Sequence, residues 1–285
     1  MITRELIIEK LEQKYPQYKF IPSDVTKNGD VHLQAICVRD ETPIAPNIYV
    51  EPIISECEDD LDKAVSIVSN IIEQNMNPSI DLEKITSKDY VLEHIKIGVQ
   101  KASDEDLVKL SVTDFEDMEQ YLYYGDSNAP DSSFSIKLRP DLAERIGLDL
   151  DETWAIARSH TFEDCTVRSM ASVMRSMMGD DFDDEFDDEI FNSAQLPMYI
   201  ISNKSQIKGA ASILNRELLE NFAKEHNAKH LLILPSSISE CILIPYADES
   251  YDLDNFKEMV AEINATQVKP EERLTNNAYV LHFEN

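Results

Sequence analysis

Four groupings of side chains in this chain are of a type that could do chemistry. His226 and His230 stand four apart, the spacing at which two imidazoles on one helix can share a zinc ion. A catalytic zinc needs a third ligand and a base, and no HExxH is present. Asn227 also ends the helix between the two histidines, so they read as a helix end and a strand start and no metal site is assigned. Ser159-His160, and Ser236-Ser237 with Glu240, supply nucleophile and base types. Catalysis requires such groups within hydrogen-bond reach beside an oxyanion hole, whereas serine in a turn between strands caps backbone groups. No catalytic residue is assigned. The third grouping is Asp180-Asp181-Phe182-Asp183-Asp184-Glu185-Phe186-Asp187-Asp188-Glu189, eight carboxylates in ten residues. Read as a calcium loop from Asp181, it puts Phe186 where the turn needs glycine and Asn192 where a closing glutamate belongs, which leaves weak cation binding and no dedicated site. Lys204 and Lys208 form the fourth, in a stretch from Phe191 to Leu214 that contains no acid. It reads as an exposed lysine-bearing turn or as an anion-binding or intramolecular docking patch.

A P-loop or a classical Rossmann cofactor site is excluded more firmly. The six glycines are too scattered to form GxGxxG or GxxxxGK[ST], whose glycines let backbone amides approach a phosphate. Kinase-like and GxSxG hydrolase signatures are absent as well. No cofactor is assigned.

Charge is the dominant property. The formal net charge is −29, which opposes association with nucleic acid or an anionic membrane. Residues 1–178 carry 18 basic and 34 acidic side chains, the acidic run adds eight negative charges, and residues 192–285 carry 8 basic and 13 acidic side chains. The expected role is a non-catalytic interaction or accessory factor engaging a basic protein surface. The candidate contact residues are Asp59, Asp60, Asp114, Glu116, Asp117 and Glu119, with Asp180, Asp181, Phe182, Asp183, Asp184, Glu185 and Phe186 of the run. Mimicry of nucleic acid is a sharper form of this reading, and it would need carboxylates on a rigid folded surface rather than on a connector. The alternative is an enzyme or small-ligand-binding protein with a site in the cleft between two lobes, where such sites commonly lie.

Cys37, Cys57, Cys165 and Cys241 are widely spaced and form no CxxC pair. With a charged opening from Ile2 to Tyr15 and no apolar stretch long enough for a membrane span, they point to reduced thiols in a cytoplasm.

The elements that must position these groups follow from apolar periodicity and turn chemistry. Leu6, Ile7 and Leu11 predict an opening helix that ends before Pro16. Strands are predicted at 31–38 and 47–50, and Asp59 or Asp60 caps a helix striped by Leu61, Val65, Val68, Ile71 and Ile72. Further strands are predicted at 91–99, 118–124 and 134–138, then helices from Pro140, around Trp154 and from about 163 to 178. In the last of these, Met170, Met174 and Met177 share one face, read as core, as is Trp154. Beyond the acidic run, strands at 197–202, 230–234, 241–246 and 279–283 alternate with helices at 217–226 and 253–263. The fold class is α+β: two lobes, each a mainly antiparallel sheet with flanking helices. The lobes are residues 1–178 and 193–285, joined by an acidic linker at 179–192.

Particular blocks resemble a known family: Leu196-Pro-Met-Tyr-Ile-Ile-Ser-Asn-Lys204, Gly209-Ala-Ala-Ser-Ile-Leu214, Leu234-Pro-Ser-Ser-Ile-Ser-Glu240 and Ile263-Asn-Ala-Thr-Gln-Val-Lys-Pro-Glu-Glu272. In the first half the likeness rests on Asn28-Gly29, Pro46-Asn-Ile-Tyr-Val50 and Phe134 through Ser159-His160-Thr161. The family is domain-of-unknown-function family 5688, uncharacterised and common in Firmicutes. The resemblance implies association with mobile or accessory DNA. It carries no activity, cofactor or catalytic residue onto this chain.

Overall fold

The structure is a computed structural model that describes residues 2–28, 31–40, 45–75, 81–125, 134–178 and 197–283. These fall into two compact units, Met1–Leu82 and Glu83–Asn285.

In the first unit, α1 (Arg4–Lys14) starts where the Thr3 side chain accepts a hydrogen bond from the Leu6 amide, and it buries Ile7, Ile8 and Leu11. Three antiparallel strands follow in sheet order β1 (Lys19–Lys27), β2 (Val31–Arg39) and β3 (Asn47–Tyr49). β1 was not legible as a strand because Pro22 interrupts it; the sheet tolerates the proline because β1 is an edge strand. After α2 (Glu51–Glu56), α3 (Leu61–Asn75) sets Ala64, Val68 and Ile72 against Phe20, Ile36, Val38 and Ile48. That is the expected stripe, with its buried centre on the i, i+4, i+8 row.

α4 (Leu82–Ile85) spans the boundary in sequence, and α5 (Lys88–His94) opens the second unit. The strand predicted at 91–99 begins only at Lys96. Ser87 Oγ accepts from the Tyr90 amide and caps a helix over the first part. β4 (Lys96–Lys101), β5 (Lys109–Ser111), β6 (Met118–Tyr124) and β7 (Ile136–Lys137) make one antiparallel sheet, with β6 central, β4 on one side, and β5 and β7 sharing the other. α6 (Pro140–Arg145) carries its proline in the first turn. α7 (Leu150–Glu163) is capped by Asp149, whose side chain accepts from the Glu152 amide.

The helix predicted over 163–178 divides. Cys165–Ser169 is strand β8, and only Met170–Met178 is helical, as α8. On α8, Val173 is buried while Met174, expected in the core, is 41% exposed. β8 pairs antiparallel with β9 (Tyr199–Asn203), register Val167 to Ile201. A single sheet, ordered β12-β10-β11-β9-β8, is thus built from both sides of the acidic segment. The two compact units divide the chain near residue 82. The rest of this sheet is β10 (His230–Ser237), β11 (Glu240–Tyr246) and β12 (Tyr279–His282); α9 (Arg216–Glu225) and α10 (Leu253–Thr266) are further α-helices of this unit.

β10 reads as an unbroken apolar run because both its faces are covered. Leu231 and Ile233 join a core with Ile97, Leu122, Trp154 and Phe222, while Leu232 and Leu234 pack with Ile244 and Val260 of α10. The exposed edge of β4 is closed by α7: Thr161 Oγ1 accepts from the Ile97 amide at 2.8 Å, and His160 Nδ1 donates to the Ile95 carbonyl at 2.9 Å.

Candidate functional site

Alternation along β6 separates two faces. Met118, Leu122 and Tyr124 enter the core, while Glu119, Tyr121 and Tyr123 point the other way. Register places Gln100, Gly98 and Lys96 of β4 opposite these three, and Ser111 and Lys109 of β5 opposite Glu119 and Tyr121. One face of the sheet is therefore polar, yet it is buried: Glu119 is 5% exposed and Tyr121 3%.

Such a face is stable only if its polar groups are satisfied. Glu119 accepts from Gln100 Nε2 and Ser103 Oγ, both at 2.8 Å, and pairs with Lys109 Nζ at 3.0 Å. Lys137 Nζ bridges Glu105 at 2.6 Å and Gln100 Oε1 at 2.8 Å. Burial alone would push the Glu119 carboxyl up; the bonds from Gln100, Ser103 and Lys109 outweigh it and hold the group below its ordinary value near 4.5. Burial, then Tyr123 and Glu105, raises the Tyr121 phenol well above the tyrosine range, and burial pushes Tyr123 up to about 12. Both stay protonated at neutral pH.

The Tyr121 ring lies across Gly98, where an added Cβ would stand 2.6 Å from Tyr121 Cζ. Lys208 sits 5.3 Å from the Tyr123 ring centroid and donates to the Tyr121 hydroxyl at 3.4 Å. Lys204 and Lys96 both pair with Asp164, at 3.4 and 3.0 Å. The acid-free lysine stretch thus docks onto its own unit. Gly209 permits this, since a Cβ there would stand 2.5 Å from the Ser239 carbonyl oxygen.

A cleft of about 460 Å³ lies within the second unit, and its β6 residue, Gln120, belongs to the other face of the strand. One wall is the chain leaving β5, with Thr113, Asp114 and Phe115; Gln120 of β6 and Arg158 and Phe162 of α7 form another. The start of α9, with Asn215 and Arg216, closes it, above Leu219 and Leu281. Its volume and mixed lining suit a small organic ligand.

The two arginines differ. Arg216 is held by the Asp114 carboxylate at 3.7 Å, Glu220 at 3.4 Å, the His282 carbonyl at 3.2 Å and the Phe283 ring at 4.6 Å. Arg158 has no ion pair or hydrogen bond among the described residues, and neither does the Gln120 side chain. Arg39, Arg145 and Arg168 also lack a carboxylate partner among the described residues, and what sets Arg158 apart is its place on the wall of the cleft.

Of the six described acids expected to meet a partner, five make bonds inside their own unit. Asp59 Oδ1 accepts from the Ile2 amide, and Asp60 Oδ1 from the Lys63 amide at 2.9 Å, which caps α3. Asp114 pairs with Arg216, Asp117 accepts from the Tyr279 hydroxyl, and Glu119 belongs to the buried network. Glu116 is exposed. Asp180, Asp181, Phe182, Asp183, Asp184, Glu185 and Phe186 lie outside the described residues, as does the calcium-loop reading.

The other candidates are separated. His160 closes the β4 edge. Ser237 pairs with Glu240 across the β10–β11 turn and accepts from the Ser239 amide. His226, at the end of α9, packs on Tyr199 and Phe222, whereas His230 opens β10. Among the described residues no group of three or more His, Cys, Asp or Glu side chains is arranged to hold a metal ion.

The arginines were missed in the sequence because no motif marks them. One signal was present: Arg158 has Trp154, Ala155, Thr161 and Phe162 at three and four residues away, and so no helical acid to pair with.

Fold and site together define a mixed α/β protein of three antiparallel sheets with an arginine-bearing cleft. Residues 3–282 match the model of a family of unknown function, DUF5688, and the chain belongs to that family. No curated protein and no solved structure matches it.

Proposed function

We propose that the chain is a binding protein whose cleft at Arg158 takes a small organic anion, a carboxylate or a phosphate ester. The unpartnered Arg158 guanidinium carries this reading. It offers a bidentate fork to an anion, Gln120 and Asn215 offer amides beside it, and Phe115, Phe162 and Leu281 offer apolar contact for the remainder of the ligand. The lining runs from residue 111 to 162 before the acidic run and from 213 to 281 after it. A lining drawn from both sides of the acidic run supports the small-ligand alternative drawn from the sequence. The Asp114 carboxylate on the cleft wall is paired with Arg216, which reduces its repulsion of a bound anion. Thermal unfolding of the full chain in inorganic phosphate, acetate, succinate and a nucleoside monophosphate tests it. At least one anion should raise the midpoint, and Arg158→Gln should remove that rise.

The second reading is a basic protein partner engaging surface carboxylates. It rests on the −29 charge and on exposed acids such as Asp104 and Glu116. Retention of basic proteins from a lysate at low salt, lost at high salt, would support it. No helix among the described residues is long and apolar enough to cross a membrane, and all four cysteines are free thiols. The thiols support placement in the cytoplasm.

A further inference from the structure

The partner of His230 is not His226 but His282. β10 and β12 run antiparallel with His230 directly opposite His282, and the Phe283 amide donates to the Lys229 carbonyl one residue on. The two histidines therefore occupy a non-hydrogen-bonded position, where facing side chains come closest. Their Nδ1 atoms are 2.8 Å apart, with the rings crossed at 88°. This geometry requires one ring to carry its proton on Nδ1 and the other to leave that nitrogen bare. The pair sits at the end of the sheet face covered by α10, where the Tyr251 ring stands 5.8 Å from His230. Asp248 lies within electrostatic reach of His230.

We propose that His230 and His282 chelate a divalent late transition-metal ion through their two Nδ1 atoms. Metal–imidazole bonds of about 2.0–2.1 Å place two nitrogens at right angles about 2.9 Å apart, and at a tetrahedral angle about 3.4 Å apart. The observed 2.8 Å matches the right-angle arrangement. The chelate therefore suits Cu2+ and Ni2+ in square-planar or octahedral coordination better than tetrahedral Zn2+, with water in the remaining positions. The strand pairing holds the two residues opposite one another before the ion arrives; on binding, the ring that carries its proton on Nδ1 takes the Nε2-protonated tautomer, and both Nδ1 lone pairs turn to the metal. A bound ion would tie edge strand β12 to β10.

The test is calorimetric titration of the full chain with Ni2+ near neutral pH, beside Cu2+ electron paramagnetic resonance on the same protein. One nickel site is expected, its affinity falling by about tenfold or more in His230→Gln and in His282→Gln, and staying within about twofold of the parent in His226→Gln. The copper spectrum of the unaltered protein should show two coupled nitrogens; copper held by carboxylates alone lacks them. An oxygen-only spectrum overturns the proposal even if neither variant folds. So does an affinity unchanged in either single variant, or one lost equally in His226→Gln.

Discussion

Glu119 offers the sharpest test of how the second unit is held together. Replacement by glutamine keeps the shape but sets an amide nitrogen against the Ser103 amide, Gln100 Nε2 and Lys109 Nζ, which can only donate, and leaves the Ser103 hydroxyl as the one neighbour among them able to accept. Removing one partner of a buried ion pair costs about 3–5 kcal/mol. Lys109 retains 23% side-chain exposure and can turn to water, which places the cost at the lower end, about 3 kcal/mol. For a unit of this size that is a fall of about 6–12 °C in midpoint. Trp154, the sole tryptophan, is buried in the second unit, so its fluorescence follows that unit alone in urea. The deficit should also depend on pH. The folded carboxyl is held below 4.5, so its stabilisation is fully present above that value and is lost as pH falls through the lower folded value. The gap between parent and Glu119→Gln should therefore be constant near neutrality and close in acid. A loss under about 1 kcal/mol, or a gap that widens in acid, would refute the reasoning.

Two other outcomes follow from the same structure. Thr161→Val removes the acceptor for the Ile97 amide at the β4 edge and should cost about 1–3 kcal/mol by Trp154 fluorescence, the penalty of an unpaired buried donor. Cys241 is fully buried, and burial pushes its thiol up to about 12, so it should react with a thiol reagent only on unfolding, whereas half-buried Cys37 should react in the native protein. Mass spectrometry of the modified peptides reads this directly.

What was legible in the sequence was local. Asp59 or Asp60 marked a helix start, which the structure places with Asp60 as cap, and 118–124 was read as a strand and is one. What was not legible depends on distant partners. Cys165–Ser169 is short, half-buried and followed by a true helix, and it is a strand only because Tyr199–Asn203, on the far side of the acidic run, pairs with it. Lys19–Lys27 concealed a strand behind Pro22, which only an edge position allows. The same holds for the sites. His230 was matched with His226 by spacing, while the partner that the sheet supplies is 52 residues away. Glu119 looked like surface charge until Gln100 and Lys109 were placed on either side of it. Arg158 was the exception, because the missing helical acids could be read directly.

The central claim is that Arg158 makes the cleft a site for small anions, and the direct measurement is the affinity of such an anion for the parent and for Arg158→Gln. Arg158 is exposed and has no partner among the described residues, so its replacement should leave Trp154 unfolding unchanged. The loss of one charge-assisted contact, about 1.5–3 kcal/mol, should weaken at least one of phosphate, acetate, succinate or the nucleoside monophosphate by about 10- to 150-fold. Equal affinity in the two proteins, or no binding of any of these anions to the parent, would contradict the claim.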